Sequence, residues 1–184
     1  MLPIAISMHG KGLHRRLRGY KDAVAKAERS ECSLDLAVLL SLFLERHSDC
    51  LGGMPDVVVT VPSTDRDALR AVINRLPSLR DRHIRVLRAV GSKTERRYEV
   101  DERTSERVAG RRVLLLDDTF TSGRSITAAY GALANVGAKI VRPLVMGRHF
   151  YPDYDTSVDL WDCLRKHTWS LKRCGICGPI SCPT

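Results

Sequence analysis

Nowhere in this 184-residue chain is there an apolar run long enough to cross a membrane. The most hydrophobic stretch, Leu34 to Leu44, contains Asp35 and Ser41. It falls well short of the roughly 20 residues a bilayer demands and reads as a buried helix. The amino terminus, MLPIAISMHGKG, has only a short apolar segment and lacks the small-residue cleavage pattern of a secretory signal. A cytoplasmic protein with no membrane partner is therefore expected. Also lacking is a G-x-x-x-x-G-K-[ST] segment, which an acid-terminated aliphatic strand needs if it is to serve a P-loop nucleotide triphosphatase. No internal repeat is evident. Acids are the scarcer charge: 21 Asp and Glu face 30 Lys and Arg, a formal net charge of +9. Such a field attracts anions. It admits phosphorylated metabolites, nucleic acid and acidic membranes and selects none of them, and an ordinary solvated face accounts for the basic residues equally well.

A hydrophobic content of 43% is enough to bury a real core, and the length favours one domain. Pro3–Ser7 reads as a short strand and Leu13–Ala27 as a basic amphipathic helix carrying RRLRGYKD, weakened by Gly19. Ser33 is positioned to cap an apolar helix running to about His47, which LGGMP at Leu51–Pro55 terminates. DVVVTVP then gives a continuous β-branched run, the pattern of a strand covered on both faces. A helix over Asp65–Arg75 and a strand over His83–Val90 follow, and Gly91–Gly110 dissolves into a long charged loop. Loops of that length inside a domain are often lids or binding loops. Arg112–Asp117 resumes strand character, Ser125–Val136 has helical spacing with Gly137 as its stop, and Lys139–Met146 is another strand. This alternation predicts an α/β fold around a parallel sheet.

The chemistry concentrates in VLLLDDTFTSGRS, from Val113 to Ser125. In an open α/β sheet, ligands sit beyond the carboxyl ends of the strands, which is where Asp117 and Asp118 fall. The turn that follows opens a helix. Its backbone N–H groups and the hydroxyls of Thr119, Thr121, Ser122 and Ser125 suit a phosphate, and Gly123 permits close backbone approach. Carboxylates suit sugar hydroxyls or hydrated Mg²⁺. A ribose 5-phosphate uses both halves.

VLLLDDTFTSGRS resembles the phosphoribosyl pyrophosphate (PRPP) signature of type I phosphoribosyltransferases, and the order of elements from Asp56 to Met146 agrees with that family. The resemblance implies a Rossmann-like parallel sheet flanked by helices, followed here by a short Cys-rich C-terminal tail. It implies that Asp117 and Asp118 hold the ribose hydroxyls, while Thr121, Ser122, Gly123, Arg124 and Ser125 cradle the 5′-phosphate. The pyrophosphate loop maps to VPSTDR, with Ser63, Thr64 and Arg66 as its ligands and Asp65 an odd companion for an anion. A mobile loop maps to Gly91–Gly110, whose Lys93, Arg96, Arg97, Arg103 and Arg107 are the cations available to the departing pyrophosphate. Mg²⁺ is the implied cofactor, accompanying PRPP. A nitrogen nucleophile is the implied acceptor, with Tyr151, Tyr154, Trp161 and Trp169 as stacking candidates. In 6-oxopurine enzymes of the family an Asp follows the second acid by three positions; Thr121 stands there, which disfavours hypoxanthine and guanine.

RRLRGYKD resembles the early YK-containing segment of ComF-like proteins associated with competence, although those place their Cys-rich metal module before the transferase-like domain. Here Cys163, Cys174, Cys177 and Cys182 crowd behind it, spaced C-x10-C-x2-C-x4-C, a set that suits one tetrahedral Zn²⁺. Redox-active thiols and an iron–sulfur cluster stay open, and His149 and His167 are substitute ligands. Cys32 and Cys50 stand alone and read as small buried hydrophobes. The expected organisation is a phosphoribosyltransferase-like domain over residues 1–149, with a helical segment at 1–50 and a core at 56–146, then the tail at 150–184. Two functions compete: a Mg²⁺-dependent transferase, with a homodimer as its candidate assembly, and a non-catalytic PRPP-sensing or nucleic-acid-associated protein.

Overall fold

Aliphatic runs without polar alternation belong on strands covered from both sides, and the central strand of this protein is such a run. The structure, a computed structural model, describes residues 1–62, 68–91, 97–140, 142–151, 162–164, 166–167 and 169–178. It begins with strand β1 (Leu2–Met8) and helices α1 (Gly12–Asp22) and α2 (Lys26–His47), and a 3₁₀ turn, Asp49–Leu51, leads to β2 (Val57–Thr60). Next come α3 (Ala68–Ile73), α4 (Pro77–Arg80), β3 (Leu87–Val90), β4 (Arg97–Val100) and α5 (Glu102–Ser105). The series closes with β5 (Arg112–Phe120), α6 (Arg124–Asn135), β6 (Lys139–Ile140) and β7 (Leu144–Phe150).

Among the described residues the main sheet has the order β1-β7-β5-β2, with β6 also pairing to β5, and every pairing is parallel. Alternation along β5 divides the core in two. Leu114 and Leu116 join Val58, Leu144 and Met146 in a cluster with Leu17 of α1 and Leu36, Leu40 and Phe43 of α2. Val113 and Leu115 join Val59 and Val145 in a second cluster with Ile126, Ala129 and Leu133 of α6. Helices thus cover both faces, and each fully buried aliphatic side chain stabilises the fold by about 1.5–3 kcal/mol relative to exposure.

Five expected elements differ. The basic helix stops at Asp22, where the Arg29 guanidinium donates to the carbonyls of Ala23 and Val24. α2 starts at Lys26, seven residues before the expected cap; Ser33 lies inside it and donates its hydroxyl to the Arg29 carbonyl at 2.8 Å, the local alternative open to a mid-helix serine. Gly19, expected to weaken the first helix, is its contact point with α2: a Cβ there would sit 2.6 Å from Cys32 Sγ. Cys32 is buried, as expected of a small hydrophobe.

His83–Val90 does not form one strand of the main sheet. Only His83 bridges to Val58, after which Leu87–Val90 pairs antiparallel with β4. Arg85 and Arg88 interrupt the apolar run that a doubly covered strand requires. The expected loop at Gly91–Gly110 holds β4 and α5 among its described residues: Tyr98 is buried while Arg97 and Glu99 are exposed, and the Asp101 side chain caps α5 through Arg103 N–H. Lys139–Met146 splits into β6 and β7 around Pro143, which has no N–H to give. Part of the tail also packs down. Trp169 Nε1 donates to the Ile4 carbonyl at 3.2 Å, and Leu171, Cys174 and Ile176 join the first core cluster.

Candidate functional site

β5 carries its two acids to the carboxyl edge of the sheet, and strand alternation sends them to opposite faces. Asp118 follows Leu114 and Leu116 toward α1 and is buried; Asp117 follows Val113 and Leu115 and is half-buried. The Asp118 carboxylate accepts the Tyr20 hydroxyl and pairs with the Lys21 ammonium, both through Oδ2. The Asp118 backbone N–H donates to Asp117 Oδ1 at 2.9 Å, fixing the neighbouring acid. Tyr20 and Lys21 are the YK of the basic segment. By sequence they have no role beyond a resemblance, yet α1 sets them on the second signature acid. α1 can lie this close because β7 has Gly147 beneath it, where a Cβ would be 2.8 Å from Leu17 Cδ1.

The turn after β5 is shaped by Gly123, in left-handed backbone at φ 77° and at the N-cap of α6. A Cβ there would lie 2.4 Å from the Phe120 ring, so only glycine meets both the dihedral and the space. Among the described residues no side chain caps this helix start. A left-handed residue ahead of a helix turns successive N–H groups toward one point, an anion-binding concavity reinforced by the helix dipole. Thr121, Ser122 and Arg124 are exposed around it. Two carboxylates and a helix start without a side-chain cap therefore meet within one strand–turn–helix unit.

The other expected site residues are partly brought in. Ser63, Thr64, Asp65, Arg66, Lys93 and Arg96 lie outside the described residues. The described residues just before the first four are held in place: Val61 N–H donates to the Leu116 carbonyl at 2.9 Å, and the Tyr98 hydroxyl reaches the Pro62 carbonyl at 3.4 Å. The hairpin that holds Arg97 is thereby tied to Pro62. Arg103 and Arg107 are exposed, and Arg103 lines a cleft of about 770 Å³ between the hairpin and α6 rather than the signature turn.

Near the same edge, His9, His14 and His149 gather with their ligand atoms within 4.8 Å of one another. The Tyr151 ring stacks on His9 at 4.9 Å and meets His149 edge-on. Burial lowers the pKa of His14 and His149, with His9 adding to the first and His14 and then His9 to the second, which favours the neutral form of both rings. Gly10 N–H donates to His14 Nδ1 at 3.0 Å, which uses that lone pair and puts the ring proton on Nε2. Of the other stacking candidates, Tyr154 and Trp161 lie outside the described residues, and Trp169 packs on β1.

The expected four-cysteine set does not assemble as drawn from spacing. Cys163 is disulfide-bonded, Cys182 lies outside the described residues, and His167 is exposed and apart from the cluster. Cys174 and Cys177 instead meet His47 and Cys50, all four ligand atoms lying within 4.8 Å. Cys50, expected as a small buried hydrophobe, is partly buried against the first core cluster and also faces His47. Burial and then its thiol neighbours push it up to about 11, whereas hydrogen bonds from Cys174 lower Cys177.

Residues 36–149 match the family described as Phosphoribosyl transferase domain, and the chain belongs to that family. By class it is a phosphoribosyltransferase, a transferase that uses PRPP. Among solved structures, the chain is similar to the purine phosphoribosyltransferase from Pyrococcus horikoshii Ot3, at 17% identity and a TM-score of 0.40 over 67% of this chain and 90% of that one. No curated protein matches significantly. The family match takes in the whole signature but begins inside α2, leaving out α1 with Tyr20 and Lys21 as well as the tail cysteines.

Proposed function

We propose that this protein transfers the 5-phosphoribosyl group of PRPP to a nitrogen acceptor and releases pyrophosphate. The observation that carries the reading is the β5–turn–α6 unit, which joins Asp117 and Asp118 to the anion cradle at Gly123. In this reading the carboxylates accept the ribose hydroxyls, and Thr121, Ser122, Arg124 and Ser125 with their backbone N–H groups hold the 5′-phosphate. Lys21 positions Asp118. The acceptor nitrogen attacks ribose C1 as the bond from C1 to the pyrophosphate oxygen breaks, so the electron pair leaves with pyrophosphate. Ser63, Thr64 and Arg66 hold that group, and Lys93, Arg96 and Arg97 neutralise its developing charge, the kind of fixed electrostatics that lowers such barriers.

Mg²⁺ fits the site as a companion of PRPP: the half-buried Asp117 carboxylate is a hard oxygen donor at the strand end. When bound, the ion would supply charge neutralisation at the pyrophosphate. The neutral imidazoles of His14 and His149 beside Tyr151 offer a stacking ledge to a planar acceptor. The working organisation is a transferase domain over residues 1–149 and a metal-bearing tail, in a protein of the cytoplasm. No helix among the described residues is long and apolar enough to cross a membrane.

Incubation with PRPP, Mg²⁺ and a panel of nucleobases and amines should give acceptor-dependent pyrophosphate release. One observation favours a second reading as a PRPP sensor: Lys21 and Tyr20 already engage Asp118. A sensor would bind PRPP and release no pyrophosphate with any acceptor.

A further inference from the structure

α2 ends at His47, and the turn after it places Cys50 three residues on, so both side chains project from one corner of the fold. Cys174 and Cys177 repeat that i,i+3 spacing in the tail, with Gly178 N–H closing the turn onto the Cys174 carbonyl at 3.0 Å. The two pairs meet across 130 residues of sequence, with His47 Nδ1 3.6 Å from Cys177 Sγ. Cys174 and Cys177 sulfurs are 3.6 Å apart, and Cys50 Sγ is 3.9 Å from His47 Nδ1. A tetrahedron with Zn–S near 2.3 Å and Zn–N near 2.0–2.1 Å has ligand-to-ligand edges of about 3.5–3.8 Å. Two of these separations fall on those edges, the third, at 3.9 Å, is slightly longer, and all four ligand atoms lie within 4.8 Å of one another.

The outer contacts set the ligands in the right state. His47 Nε2 is 2.8 Å from the Leu171 carbonyl. A carbonyl only accepts, so Nε2 carries the proton and Nδ1 directs its lone pair at the thiols, the arrangement that holds a metal-binding imidazole in place. Ile176 N–H donates to Cys174 Sγ at 3.4 Å, a contact that fixes the direction of that sulfur. The histidine trio at the sheet edge lacks this property, because His14 spends its Nδ1 lone pair on Gly10.

We propose that His47, Cys50, Cys174 and Cys177 form a closed structural Zn²⁺ site that fastens the carboxyl-terminal segment to the end of α2. Three soft thiolates and one imidazole select zinc over the magnesium used with PRPP. Four ligand atoms within 4.8 Å enclose one ion and leave no room for a multi-iron cluster. Four protein ligands also leave no open position for substrate, so the role is structural. Binding releases the protons of the three thiols, and the metal's binding free energy becomes folding free energy for the tail. The site deepens the tail-metal reading with a different ligand set and does not depend on PRPP chemistry.

Elemental analysis of the untagged full chain should find one zinc per chain. Replacement by Co²⁺ should give the intense visible absorption of a tetrahedral site with a thiolate charge-transfer band. Cys50→Ser and His47→Gln should each abolish stoichiometric zinc, His47→Cys should keep it and strengthen the cobalt charge-transfer band, and Cys163→Ser should leave zinc and spectrum unchanged. Should Cys50→Ser fail to fold, the thiolate count read from the His47→Cys and wild-type cobalt spectra still decides. Zinc lost with Cys163→Ser but kept with Cys50→Ser, or metal-free wild-type protein with a protease-resistant tail, would overturn the assignment. PRPP titrations of the same samples report on the transferase reading separately.

Discussion

Asp118→Asn removes one charge at the junction of α1 and β5 while keeping the side chain's shape and its capacity to accept from Tyr20. Two losses follow, and they differ in size. Within the fold, the pair with Lys21 disappears; the Lys21 side chain is 33% exposed against 11% for Asp118, so the freed ammonium turns toward water. Solvent screening keeps that cost near the surface-pair range of up to about 1 kcal/mol, a few degrees of melting temperature for a domain of this size. In the PRPP complex, the substrate loses a charged acceptor for a ribose hydroxyl, worth about 1.5–3 kcal/mol, or roughly a ten- to hundredfold weaker Kd. Thermal melts without ligand and calorimetric titrations with PRPP and Mg²⁺ separate the two. Asp56→Asn is the control: it removes an ion pair with Arg112 at the opposite edge of the sheet and should leave PRPP affinity unchanged. A destabilised Asp118→Asn protein with wild-type PRPP affinity would show that the carboxylate only anchors α1, and would refute the ribose assignment.

Gly123→Ala meets both the left-handed dihedral and the Phe120 ring, so it should lower stability by about 1–3 kcal/mol and weaken PRPP binding at least tenfold. Gly110→Ala has a similar φ of 69° with nothing within 4 Å and should cost stability alone; equal PRPP losses in both variants would contradict the cradle. Asp56 also predicts a pH effect. The backbone N–H and guanidinium of Arg112 hold its carboxyl below the usual range, so its stabilisation is complete above the unfolded pKa of about 3.9 and fades as pH falls through the lower folded value. Asp56→Asn should flatten the acid limb of a stability-against-pH curve, and an unchanged limb would count against that pair.

The signature was readable because every part of it is local. An aliphatic run, two acids and a glycine before a helix fall within thirteen residues, and strand and helix periods fix how they face. Tyr20 and Lys21 were not readable as site residues, since their contact with Asp118 spans 98 positions and Tyr20 fits the buried stripe of its helix equally well. Cysteine spacing failed for the same reason: counting along the tail cannot reveal His47 and Cys50, which only the docking of the tail onto α2 brings near. The hairpin strand at Arg97–Val100 was hidden differently. Its alternation is just four residues long and sits among charges, where Tyr98 finds its burial only by packing over β2 and α6.

The direct test of the account is a calorimetric titration of folded, zinc-replete protein with PRPP in the presence of Mg²⁺, repeated with ribose 5-phosphate and with pyrophosphate alone. A site built from Asp117, Asp118 and the Gly123 cradle predicts saturable binding of PRPP with one site per chain, and measurable competition by ribose 5-phosphate. No heat of binding at millimolar PRPP, from protein whose melt shows it to be folded, would contradict it.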